Sequence, residues 1–156
     1  MLKRISPRTT SKTGGRFAIV ASCYNERYVE ALLRSARREL RRGGADSIEV
    51  VRVPGAFEIP AVAAKLARER LPRLSAILCL GVILQGETSH ARHIGDAVSH
   101  ALAQLQIECR LPVIHGVYLF ENEEQARVRC LGRTHNRGCE VARTALEMAR
   151  VMTRLG

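Results

Sequence analysis

The sequence has no tryptophan, and aromatic residues make up only 4% of it, too few for a nucleic-acid binder that stacks bases on ring platforms. Long apolar runs are also missing. None approaches the roughly 18 residues that a membrane-spanning helix needs. The first fifteen residues, Met1 to Gly15, carry no acidic side chain and no apolar stretch, so a secretory leader is not expected. They read as a basic, flexible tail ahead of a single domain over 16–156. Cysteine is present as an odd set of five (Cys23, Cys79, Cys109, Cys130, Cys139) with no C-x-x-C spacing. That excludes a regular disulfide framework and a spaced zinc site, and it favours a reducing cytoplasm. P-loop, G-x-G-x-x-G and His/Cys ligand spacings are absent too, so neither a metal nor a nucleotide cofactor is expected.

Base is in excess. Lys and Arg number 25 against 15 Asp and Glu, a formal charge of +10. The densest cluster is Arg34, Arg37, Arg38, Arg41 and Arg42, on the polar face of a helical pattern. Such a face is either solvated or a docking strip for anions. With few aromatics and no nucleic-acid motif, the solvated face is the better reading.

Apolar runs of strand length alternate with helical patterns. Phe17 to Cys23 is a strand. Val29, Leu32, Leu33, Ala36 and Leu40 then recur at helical spacing until Gly43-Gly44. Ser47 to Val53 is a second strand, closed by Pro54-Gly55, and Pro60 opens a second helix. Ala76 to Leu84 is apolar throughout, as a strand covered on both faces must be. Ile94 to Leu105 marks a third helix. Pro112 to Phe120 is a fourth strand, Glu123 to Leu131 a short helix, and a Gly-rich loop leads to a last helix from Val141 to Met152. This order predicts an α/β three-layer sandwich, with four parallel strands and helices on both faces. Ligands then bind at the carboxyl ends of the strands.

Those ends hold the candidates. After the third strand, Gly86-Glu87-Thr88-Ser89-His90 opens a helix whose free N–H groups suit a phosphate, with Thr88 and Ser89 as caps. As a neutral imidazole, His90 would take a proton from a ligand at that turn. After the second strand, Glu58 either accepts ligand hydroxyls or serves the helix start. After the first, Tyr24 offers a ring to a heterocycle, or the segment is a plain cap region with Asn25 as N-cap. Cys23 has no base beside it in sequence and is a poor nucleophile candidate. Arg127, Arg129, Arg133 and Arg137 lie near the Gly-rich loop, where arginine can clamp phosphate or simply face water.

V-P-G-A-F-E-I-P at Val53 to Pro60, G-E-T-S-H at Gly86 to His90, and H-N-R-G at His135 to Gly138 together resemble lumazine synthases. The resemblance runs from about Arg16 to Met152. It implies a flavodoxin-like sandwich, assembly into pentamers that in some members form icosahedral 60-mers, and active sites between adjacent subunits. It implies the condensation of 5-amino-6-(D-ribitylamino)uracil with 3,4-dihydroxy-2-butanone 4-phosphate, through a Schiff base, loss of phosphate and ring closure with loss of water. No metal or organic cofactor takes part, and riboflavin synthase is the implied pathway partner.

By position, the resemblance makes His90 the proton-transferring histidine. The phosphate falls to Gly86, Glu87, Thr88 and Arg129, with Arg137 nearby. Tyr24 and Asn25, the segment Ala56-Phe57-Glu58 and the strand end Val82-Ile83-Leu84 hold the pyrimidine and ribityl chain, and His115 lines the pocket. Several positions depart from the usual family pattern. Tyr24 and His115 stand for other aromatics, Cys23 and Gln85 for arginines, and Ala91-Arg92-His93 for an aromatic and acidic run. The loop from Arg129 to Gly138 carries no insertion, which is compatible with a 60-mer, while +10 on every copy opposes a large shell. A pentamer is the expected assembly. The competing readings are a catalytically lapsed shell or lumazine- or flavin-binding protein, and a basic nucleic-acid module.

Overall fold

The computed structural model describes residues 12–134 and 136–156. Four strands form one sheet: β1 (Arg16–Ser22), β2 (Ser47–Val53), β3 (Ala76–Leu84) and β4 (Val113–Phe120). All pairings are parallel and the spatial order is β2-β1-β3-β4. The helices are α1 (Glu26–Arg42), α2 (Ile59–Glu69), α3 (His90–Cys109), α4 (Glu123–Ala126) and α5 (Arg137–Leu155). The three-layer α/β sandwich expected from the sequence is the fold.

Successive strand residues point to opposite faces, and two cores follow from that alternation. Phe17, Ile19, Leu78 and Leu80 pack under α1 and α5, with Leu32, Leu40 and Val141 among their partners. Ala18, Val20, Ile77 and Cys79 pack under α2 and α3, against Ala63, Val98 and Leu102. The central strands β1 and β3 are buried along nearly their whole length, so both read as unbroken apolar runs.

The helix pair on the first face meets at Gly138, where a Cβ would stand 2.1 Å from the Leu32 carbonyl oxygen. The glycine of H-N-R-G is therefore a packing residue that lets α5 touch the α1 backbone; His135 of that motif lies outside the described residues. Glu39 on α1 receives Arg143 of α5 at 3.0 Å. Burial alone would raise the Glu39 pKa, but hydrogen bonds from Arg143 and Cys139, and the charges of Arg143 and Arg42, hold it below the usual carboxylate range. Arg34, Arg38, Arg41 and Arg42 are exposed along α1, as expected for a polar face.

Of the expected basic tail, residues 1–11 lie outside the described part. Its end is tied down: Thr13 N–H donates to the Gly43 carbonyl at 2.8 Å, and Gly15 N–H to Asp46 Oδ2 at 2.7 Å. All five cysteines are free thiols. No described helix is long and apolar enough to cross a membrane.

Candidate active site

The chain runs outward from β1 in both directions, to β2 on one side and β3 on the other, so a crevice opens at the carboxyl ends of β1 and β3. A cavity of about 820 Å³ lies there. Tyr24 and Asn25 enter it after β1, the turn Gly55 to Glu58 after β2, Val82 to Leu84 from the end of β3, and His90 from the start of α3. Nine of the sequence-chosen residues thus meet in one place.

Each is positioned by local chemistry. The β1–β3 ladder ends at Ala21↔Leu80. Beyond it the Asn25 amide Nδ2 donates to the Val82 carbonyl at 2.8 Å, so a side chain continues the pairing. Asn25 stands at the N-cap position in the left-handed region (φ 58°), which asparagine tolerates better than most residues, yet its side chain caps nothing. The cap reading of Asn25 gives way to a bracket between the β1 turn and β3.

Glu58 folds back on its own turn, its Oε2 accepting the Gly55 N–H at 2.8 Å. Here the helix-start reading of Glu58 describes the protomer, and one carboxylate oxygen remains for a ligand. A Cβ at Gly55 would press within 2.9 Å of both this carboxylate and the Tyr24 ring, which explains the glycine. Tyr24 and Phe57 are left 69% and 61% exposed. Two large rings thus stand open to water at the cavity mouth.

The turn Gly86 to Ser89 is exposed and leads into the cavity wall without lining it. A Cβ at Gly86 would meet nothing within 4 Å, so the approach is open. The Gln85 side chain braces the turn, donating to the carbonyls of Gly86 (3.1 Å) and Thr88 (2.9 Å). The expected capping fails: Ser89 is the N-cap residue, but its oxygen caps nothing and pairs with His93 Nε2 at 3.2 Å. Thr88 Oγ1 accepts only a long bond, 3.4 Å, from the His90 N–H. Beyond the His90 N–H, no described side chain caps the first-turn donors of α3.

The remaining candidates lie elsewhere. Arg129, Arg137 and His115 line a second cavity of about 850 Å³, between β4, α5 and the end of α3, with Tyr118 and Leu119. It shares no lining residue with the first. Within one protomer, then, no clamp of His90 with Arg129 exists. Arg129 sits in a turn of π-helix (Arg127–Leu131) that continues α4, where a plain short helix was expected. Its neighbours are engaged: Glu124 holds Arg127 through two hydrogen bonds, and Glu140 holds Arg137 at 2.5 Å. Arg129 has no carboxylate partner among the described residues, and it is exposed.

His115 Nε2 meets Ser99 Oγ at 2.7 Å, and Nδ1 faces the Val117 N–H at 3.4 Å. An acceptor Nδ1 leaves Nε2–H to donate to the serine. Loss of surrounding water lowers the His115 pKa, which keeps the ring neutral near pH 7. Among the described residues no group of three or more His, Cys, Asp or Glu is placed to hold a metal ion.

In the sequence His93 is only a weak candidate and part of the departing run Ala91-Arg92-His93, yet it lines the first cavity one turn after His90. The i, i+3 spacing was the available signal.

A family model described as 6,7-dimethyl-8-ribityllumazine synthase matches residues 14–153. A protein of that name from Stenotrophomonas maltophilia (strain R551-3) is 41% identical over 142 residues, covering 90% of each chain. Another from Xanthomonas campestris pv. campestris (strain B100) is 39% identical over 142 residues, 90% of this chain and 91% of the relative. A third, from Xanthomonas oryzae pv. oryzae (strain PXO99A), is 39% identical over 139 residues, 88% and 89% of the two chains. Alike in sequence across the whole sheet and both cavities, the chain belongs to the 6,7-dimethyl-8-ribityllumazine synthase family.

Proposed function

We propose that this chain is a transferase of riboflavin biosynthesis. It condenses 5-amino-6-(D-ribitylamino)uracil with 3,4-dihydroxy-2-butanone 4-phosphate at sites formed jointly by two neighbouring copies. The observation that carries the joint site is the division of the functional set between two cavities on one chain. A closed ring of identical copies joins unlike faces, and in this reading each first cavity meets the next copy's second cavity. Tyr24 and Phe57 at one mouth and Leu119 at the other, exposed in the single protomer, are covered in that arrangement. A pentamer is the assembly that this reading adopts.

The chemistry follows from the parts. Phe57 and Tyr24 offer flat faces to the pyrimidine. The backbone at Val82 to Leu84 offers hydrogen bonds to its edge, and Glu58 has an oxygen for the ribityl chain. The uncapped N–H groups after Gly86 receive the phosphate, and Arg129 of the adjoining copy closes on it from outside, with Arg137 behind it. The Glu87 side chain turns away and only its backbone binds. His90, one residue beyond that turn, takes the proton that must leave carbon as the phosphate departs. Holding the two substrates side by side supplies much of the acceleration. The cytoplasm, where riboflavin synthase would consume the product, is the setting that fits free thiols.

A steady-state assay with both substrates, following lumazine absorbance, tests this reading. Turnover by the wild type, and a loss of about a hundredfold or more in His90→Ala, are expected. A folded, oligomeric wild type without turnover would move the assignment to a non-catalytic shell or binding protein.

A further inference from the structure

The first cavity holds two imidazoles where the sequence assigned one. His93 follows His90 by one turn of α3, and both line the wall that Ile94 and Ala97 continue. A serine at an N-cap usually turns its oxygen onto a first-turn N–H. Ser89 instead holds His93 Nε2 at 3.2 Å. That bond orients the ring and leaves Nδ1 as the nitrogen able to exchange a proton. The other titratable groups facing this space are His90 on the same helix, Glu58 from the turn before α2, and Tyr24 from the turn after β1. Arg92 and Asp96 flank His93 on the exposed side of α3. From β3 only Val82, Ile83 and Leu84 contribute, and the segments of α2 packed on α3 are apolar.

We infer that His93 is a second acid–base group of this cavity, serving ring closure while His90 serves phosphate elimination. The inference rests on the condensation reading above. That reaction needs two proton movements of opposite sense. In elimination, a C–H proton leaves as the carbon–oxygen bond to phosphate breaks, and phosphate departs with the electron pair. The enol so formed becomes a methyl ketone as its O–H proton is lost and the terminal carbon gains one, and in ring closure the ribityl-bearing amine forms a C–N bond to that carbonyl carbon and gives up its N–H proton. The carbonyl oxygen takes that proton and leaves as water with a second one, drawn from the condensing ring system. A single imidazole would have to reset between the two. His90 lies next to the phosphate turn, and His93 stands about 4.5 Å further along the helix axis. The second imidazole is therefore placed to relay the amine proton to the departing oxygen while His90 retains the first.

The test separates the two half-reactions in single turnovers of the assembled enzyme, with phosphate release and lumazine absorbance followed together. In His93→Gln, which keeps a hydrogen-bonding group for Ser89, phosphate release is expected to keep its wild-type rate. Lumazine appearance slows about a hundredfold and loses one ionisation from its pH profile. Ser89→Ala, which frees the ring, gives a smaller slowing of the same step. Equal slowing of both products in His93→Gln, or a raised KM with unchanged kcat, would overturn the role. In either case an unchanged assembly mass and Tm show that the variant is folded. Absence of both products from the wild type would instead remove the condensation reading, and this inference with it.

Discussion

Asn25 is where the fold and the site depend on one side chain, and its substitution can be worked through in numbers. The residue does two things. It holds the left-handed backbone that turns β1 into α1 (φ 58°, ψ 42°), and its amide donates to Val82 at 2.8 Å. Alanine removes the hydrogen bond, leaving a carbonyl without its donor, for about 1 kcal/mol. It also forces a Cβ residue without asparagine's local compensation into the left-handed region, for about 1 kcal/mol more. Glycine removes the bond but accepts the backbone. Asn25→Ala is therefore expected to lose about 2 kcal/mol and Asn25→Gly about half that. For a chain of this size that is a fall in Tm of about 4–8 °C for alanine, and about 2–4 °C for glycine. Calorimetry at fixed protomer concentration reads both, since assembly contributes to Tm. In the steady-state assay both variants raise KM for the ribitylaminouracil, because Val82 forms the cavity wall that Asn25 holds in place. A glycine variant as unstable as the alanine one would refute the backbone part of the argument. Wild-type Tm and KM in both would refute the bracket altogether.

Other expectations follow from the packing and the charges. Because the folded pKa of Glu39 lies below its ordinary value of 4.5, its pairing stabilises the protein above that value. The contribution disappears as pH falls through the folded pKa. Denaturant titrations should find Glu39→Gln less stable at pH 7, with the gap closing in acid; a pH-independent gap would contradict the pairing. Cys79 and Cys130 are buried, and burial pushes their thiols up to about 12. In native protein a thiol reagent should label exposed Cys23 and spare these two until unfolding, as mass mapping would show. Gly138→Ala should cost at least about 3 kcal/mol or prevent folding, because the obstructing atom is the Leu32 backbone oxygen, 2.1 Å away. A normal melting curve for it would mean that α5 can shift on α1.

Much of the sheet was legible because apolar runs and helical stripes alternate without interruption, and burial on both faces of β1 and β3 makes them unbroken apolar runs whose length, seven and nine residues, is that of strands. The turn after β2 was legible for a similar reason: Pro54-Gly55 and Pro60 punctuate it. What the sequence concealed were choices among side-chain hydrogen bonds. Asn25, Thr88 and Ser89 all have cap chemistry, and only tertiary neighbours decide that Asn25 pairs with Val82 and Ser89 with His93. Sequence also did not show that Arg137 pairs with Glu140, three residues on, which holds its guanidinium in the second cavity. The family resemblance pairs His90 with Arg129. Nothing in linear order says that they line separate cavities of one chain, because that follows from the edge position of β4.

The joint site is the central claim, and mixing two inactive variants tests it most directly. His90→Ala and Arg129→Ala each disable every site when present alone. Unfolded together at equal concentration and reassembled, they populate all neighbour pairs. A site formed head to tail across copies is then fully intact in about one case in four. Lumazine formation should return to about a quarter of the wild-type rate in the mixed assembly. If His90 and Arg129 of one protomer served the same site, every site would lack one of them, and mixing would restore nothing.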